Sequence, residues 1–186
     1  MSENYLKLEE KQAVQYCIPM WLRDEQIKIN TKNVTGRLEP HYELRNEPIA
    51  VVAFGGSLKK IWRKVKGYKN IITCSGAHKF LIEKKVKPEI FKNWYHIEVD
   101  PREHKIPLLG TPQKGIQYLI ASTCSPKYFE HLNGYDVKLW HVFANEQESM
   151  RVLPPGEWAL TGGSSVGLRA MTIARFLGYT EIHVFG

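Results

Sequence analysis

The chain has 186 residues, 43% of them hydrophobic and 24% charged, with a net charge of +7. This composition suits one compact domain with its own core, and excludes a collagen-like, a disordered or a cysteine-stapled secreted chain. No apolar run approaches the ~20 residues of a membrane span, and the opening MSENYLKLEEKQ has no apolar signal region, so no membrane contact and a cytoplasmic address are expected.

In chain order, Leu6 to Cys17 predicts an amphipathic helix ended by Pro19, and residues 30–48 (NTKNVTGRLEPHYELRNEP) predict a polar, turn-rich connector. Residues 1–48 therefore read as an N-terminal helical and irregular extension packed on a domain spanning 49–186. Six strands are predicted in that domain: Ile49–Phe54, Asn70–Thr73, Trp94–Val99, Tyr118–Ser122, Val137–Phe143 and Glu181–Phe185. The spacing between their starts, 19 to 44 residues, leaves room for crossover helices.

Leu58, Ile61, Trp62 and Val65 give the first helix its apolar stripe, and Phe80 and Leu81 begin a second that must stop before Pro88. A third carries Val166, Ala170, Ile173, Ala174 and Leu177, with Ser164 or Ser165 as N-cap and Gly178 as C′ residue. Alternating strands and helices predict a Rossmann-like α/β fold, with a mostly parallel sheet and helices on both faces. Glu181–Phe185 is expected inside the sheet, where it would leave a gap beside Gly186 that a homodimer contact could cover.

The positive charge sits in residues 59–92, with 11 Lys and Arg against 2 Asp and Glu. The lysines alternate with apolar residues at helical spacing and so read as solvated helix faces. The alternative is nucleic-acid binding with Trp62, Tyr68 and Phe91 stacking on bases, the less favoured reading. Cys17, Cys74 and Cys124 form no CxxC pair and read as buried reduced thiols.

Two strand-to-helix turns point to anion binding. Gly55-Gly56-Ser57 permits a tight turn of positive φ before the first helix, and Gly162-Gly163-Ser164-Ser165 opens the last one. Neither is a GxGxxG or a Walker A loop. After the second strand, Ser75 faces the expected crevice and His78 is a candidate base or phosphate partner. Asp100 ends the third strand, where a carboxylate can hold Mg²⁺ or a substrate hydroxyl. Ser122, Thr123 and Ser125 are weaker candidates, Ser125-Pro126 also reading as a plain helix start. His96, His141 and His183 lie within strands, and no histidine pair has zinc-ligand spacing.

The segments AVVAFGGSLKK, IITCSGAH, VKP, HIEVD and TGGSSVGLRAMTIARFLGYTEIHVFG together resemble the 6-hydroxymethylpterin diphosphokinase-like family. That group includes uncharacterised phage and bacterial proteins and flagellin-modifying motility accessory proteins, and it is similar in fold to bacterial sialyltransferases. The resemblance spans residues 49–186. It implies a nucleotide site at Gly55, Gly56, Ser57 and Asp100, and a transferase moving a phosphoryl, diphosphoryl or glycosyl group. The partners would be ATP or a nucleotide-activated sugar and a small-molecule or glycan acceptor. Gly56 stands where the family often has proline. Relatives continue past the last strand, so truncation at the C-terminus is expected. A non-catalytic interaction module of the same fold is the other alternative.

Overall fold

The computed structural model describes residues 17–143 and 152–186; most of the expected Leu6–Cys17 helix lies outside them. Within them, seven strands form one sheet: β1 Ile49–Val52, β2 Asn70–Cys74, β3 Asn93–Glu98, β4 Ile116–Ala121, β5 Asp136–Val142, β6 Ala159–Leu160 and β7 Ile182–Phe185. The order is β6-β5-β4-β3-β2-β1-β7 and every pairing is parallel, as a Rossmann-like α/β fold requires. β1 and β2 are buried at every residue, which explains the unbroken apolar run of β1.

The helices are α1 Met20–Asn33, α2 Leu58–Ile61, α3 Ala77–Glu83, α4 Ile106–Leu109, α5 Pro126–His131 and α6 Val166–Phe176. They cover both faces. His96 on β3 packs against His78 of α3, ring centroids 5.0 Å apart. The neighbouring Asn93 points to the opposite face, where its amide reaches Tyr179 just beyond α6. Ser165 caps α6 by accepting the Leu168 N–H at 3.3 Å. At the other end Gly178, at φ +87°, completes a Schellman motif: its N–H donates to Arg175 O at 2.9 Å and that of Tyr179 to Ala174 O at 3.0 Å.

Several expectations need correction. α1 replaces part of the expected irregular stretch. Its buried stripe, Arg23, Gln26, Ile27 and Asn30, is helical in spacing but polar, so apolar periodicity does not reveal it. The first crossover helix keeps only one α-turn before tightening into a 3-10 segment, Trp62–Gly67. β6 is two residues long and carries no pattern. β7 pairs only with β1, so it is an edge strand, and Val184 is 61% exposed instead of buried inside the sheet. Cys17 is exposed, while Cys74 and Cys124 are buried.

Trp62 and Phe91 belong to the core, and the Tyr68 hydroxyl pairs with His183, so these rings do not form a stacking platform for bases. Lys59, Lys60, Lys64 and Lys66 are exposed, as solvated helix faces should be. No helix among the described residues is long and apolar enough to cross a membrane.

Candidate functional site

The chain moves outward from β1 through β2 to β6 and then returns, through α6, to the other side of β1. The strand order therefore reverses between β1 and β7, and the crevice beyond their carboxyl ends is where open α/β sheets hold ligands. The turn after β1 meets the end of β7 there, and the end of β1 meets the first turn of α6. A Cβ built on Gly55 would lie 2.5 Å from the Gly186 carbonyl carbon, and one on Gly167, in the first turn of α6, would lie 3.9 Å from Ala53 Cβ. Gly55 is thus required by the close approach of two backbones.

Neither Gly55 nor Gly56 has positive φ, contrary to expectation, and a Cβ on Gly56 would meet nothing within 4 Å. Ser57 is exposed, but α2 behind it is a single turn and offers little summed dipole. The Gly162–Ser165 loop is better built. Gly163 sits at φ +62°, its missing side chain leaves room for Leu168, and Ser164 and Ser165 are exposed at the start of the 11-residue α6.

One turn into α6 stands Arg169. Its Nη1 is buried without a hydrogen-bond partner, and no carboxylate pairs with it among the described residues. Burial alone holds the guanidinium below its ordinary pKa. The Gly162 loop folds back on this residue: a Cβ on Gly162 would lie 3.2 Å from Arg169 Cα. The sequence reading passed over Arg169, although it lies four residues after the Ser165 cap.

Beyond β2 and β3 the chemistry changes sign. Ser75 is held at φ +45°, a strained backbone for a residue with a side chain. It flanks Glu98, which the sequence reading missed because it lies inside the strand. Glu98 is 3% exposed, and its Oε1 accepts the Val99 and Asp100 N–H groups at 2.8 and 3.1 Å. Burial raises its pKa against those hydrogen bonds and that of Ser75.

Asp100 is engaged by Arg102 through both oxygens, at 2.8 and 2.6 Å. Burial works to raise the Asp100 pKa, but the Arg102 guanidinium and N–H outweigh it and leave it lowered. Among the described residues no group of three His, Cys, Asp or Glu could hold a metal ion. Arg102 thus occupies both carboxylate oxygens, and Asp100 is ion-paired within its own turn.

The remaining candidates are mostly interior. His78 is fully buried; its ring nitrogens meet Leu109 O at 2.7 Å and the Tyr118 hydroxyl at 3.2 Å, and burial lowers its pKa to about 4. It thus sits in the core under α3 and away from the loops at β1 and β7. Ser122 pairs with His141 Nδ1 at 2.8 Å; His141 in turn meets Glu157, which Arg37 holds. Thr123 donates to Val99 O at 3.4 Å. Ser125 is the N-cap of α5, the plain helix start its proline suggested.

The comparisons agree with this architecture. A model of the family described as 6-hydroxymethylpterin diphosphokinase MptE-like matches residues 25–186, and the chain belongs to that family. The match begins inside α1, earlier than the resemblance from residue 49 suggested. Among solved structures, the chain is similar to the MAf glycosyltransferase from Magnetospirillum magneticum AMB-1, with a TM-score of 0.67 and 18% identity over 88% of this chain. That stretch is 27% of the glycosyltransferase chain. No curated protein matches.

Proposed function

We propose that this chain is the nucleotide-binding part of a transferase, taking ATP or a nucleotide-activated sugar and passing a phosphoryl or glycosyl group to an acceptor. The observation that carries the reading is Arg169, a guanidinium with a buried, unpartnered Nη1 beside a glycine loop, on the helix entering the strand-order reversal. A phosphate there would supply both the missing acceptor and the missing charge. The exposed Ser164 and Ser165 and the start of α6 add donors, and the Gly55–Ser57 turn, also at the β1–β7 reversal, would form a second wall.

Family membership and the glycosyltransferase likeness support a transferase-like domain in general. Such transfers depend largely on positioning and on stabilising phosphate charge, which is what these parts can supply. A Mg²⁺ ion carried by the phosphates would meet at Asp100 a carboxylate that already pairs with Arg102.

Thermal-shift and calorimetric titration with ATP, CMP, UDP and GDP, with and without Mg²⁺, tests the reading. At least one nucleotide should bind, and Arg169→Gln should weaken it about tenfold or more, the scale of a charge-assisted hydrogen bond. No binding by any nucleotide, or equal binding by the folded variant, overturns it.

A further inference from the structure

The outer edge of β5 is shared by two short segments. Residues 36–38 take its middle, where the Leu38 N–H donates to Leu139 O and the Leu139 N–H to Gly36 O, each at 2.9 Å. β6 takes its end, pairing Ala159 with His141 and Leu160 with Val142. Where the two segments part, a cavity of about 290 Å³ opens, lined by both of them, by Leu139–His141, by the 154–158 turn and by Phe176 at the end of α6. That volume is at the small end of ligand pockets and suits one ring of pyranose size. β5 stands four strands from β1, about 19 Å at the usual strand spacing, so the cavity is apart from the loops at the β1–β7 reversal.

The rim of the cavity is stiff and apolar. Pro154 and Pro155 have fixed φ, Gly156 at φ +84° turns the chain back, and the Glu157 N–H closes the turn on Pro154 O at 3.3 Å. Both prolines are exposed, and the adjoining Trp158 is 64% exposed, so a flat apolar surface is left in water beside the opening.

The polar groups are few, and their capacity can be counted. Glu157 accepts from Arg37 Nε at 2.9 and 3.0 Å and meets His141 Nε2 at 3.2 Å. Arg37 also donates from Nη1 to Val34 O and from Nη2 to Thr31 O, which leaves two of its five N–H groups. Glu39 is exposed and pairs with no cation among the described residues. Lys138, beside Gly36, pairs with Asp136 at 3.4 Å. Burial holds His141 below its ordinary pKa, so its ring is neutral.

This set suits a neutral ring bearing hydroxyls. An anion would face two carboxylates. A cation would find the charge of Glu157 spent on Arg37, Glu39 screened by water, and one exposed aromatic face where ammonium groups take a cage. Sugar hydroxyls donate to Glu157 and Glu39 and accept from Arg37, while the C–H face of the ring lies on the indole.

We infer that this cavity is a binding site for a neutral saccharide, with Trp158 as its stacking surface and Arg37, Glu39 and Glu157 as its hydrogen-bonding groups. The inference goes beyond the transferase reading and does not rest on it.

The test titrates the 186-residue chain with methyl glycosides of glucose, galactose and N-acetylglucosamine, and with choline and acetate as charged probes. The Trp158 indole N–H and the backbone N–H groups of 156–158 are followed by NMR. At least one glycoside should shift these signals. Trp158→Ala should weaken its binding about tenfold or more, and Trp158→Leu, which keeps an apolar side chain without a flat face, nearly as much. Because Trp158 is exposed, both variants should melt with the native chain. The inference falls if no glycoside moves these signals, or if either folded variant binds as the native chain does. It falls equally if choline or acetate binds there as tightly as the best glycoside. Failure of nucleotides at 162–169 bears on the transferase reading alone.

Discussion

α1 and α6 are both amphipathic in the sense that one stripe of each is buried, yet the two stripes are chemically opposite. α6 presents Ala170, Ile173 and Ala174 to β1, β2 and β3, and is closed by a serine cap and a glycine Schellman turn. α1 presents Arg23, Gln26, Ile27 and Asn30, and its first residue follows Pro19 with no side-chain cap. One helix is fixed by apolar burial that has no substitute in water. The other is held mainly by hydrogen bonds that water can replace. The difference separates a piece of the core from a cover over the strand ends.

The sharpest way to break that contrast is to remove an apolar group from α6. Ile173 is fully buried, and Ile173→Ala should cost about 3 kcal/mol in denaturant unfolding, through lost burial and the cavity left behind. A loss below ~1 kcal/mol would mean that α6 is no more firmly fixed than α1.

Acid probes the polar interior beneath α3. Burial lowers the pKa of His78 from 6.5 to about 4, and burial and the neighbouring His78 push that of His96 down as well. Between those two values the unfolded chain binds the proton and the folded chain does not. Stability is therefore complete above pH 6.5 and falls as pH drops toward 4, on the order of 3 kcal/mol for His78 alone. Glu98 has the opposite sign: its raised pKa gives stability that is present below 4.5 and lost as pH rises. Unfolding midpoints at successive pH values should show a net decline into acid, and Glu98→Gln should make that decline steeper. A flat profile would place water beside His78.

On α1, Asn30→Ala removes both donors to Ser122 O and Cys124 O, and should cost about 2 kcal/mol if those carbonyls stay dry. Hydrogen exchange in α1 should accelerate while that in α6 does not. Equal acceleration in both helices would mean that they open together.

The same contrast explains how much the sequence could disclose. α6 was readable with its cap and its C′ glycine, because apolar spacing and turn chemistry are local signals. β1 to β5 and β7 were readable from β-branched and aromatic runs, within a residue or two at their ends. α1 was not, because its buried side chains are polar and their partners lie more than 90 residues away. Asp100 was legible from its place at the end of a strand. Its clamp by Arg102 and the burial of Glu98 two residues earlier depend on packing that spacing does not reveal. His78 was read as a candidate for the crevice because it begins a helix after a strand, but the register of α3 turns it toward Tyr118 and the interior.

The smallest expected effect concerns the two glycine loops at the β1–β7 reversal, and it separates a glycine kept for its backbone from one kept for space. Gly163 has φ +62°, and a Cβ there would come within 2.6 Å of Leu168 Cδ1, so Gly163→Ala carries both conformational strain and crowding and should cost about 1–2 kcal/mol. Gly56 has ordinary φ, and a Cβ there would meet nothing within 4 Å. Gly56→Ala should therefore leave stability unchanged within about 0.5 kcal/mol, or raise it slightly by restricting the unfolded chain. On the proposed reading its effect should appear in binding instead, because a methyl group at that position would occupy the open side of the turn. Denaturant midpoints and nucleotide titrations of the two variants give the comparison directly. If Gly56→Ala binds nucleotide as the native chain does, the open side of the β1 turn is not a wall of the site, and the phosphates are held by the α6 loop and Arg169 alone.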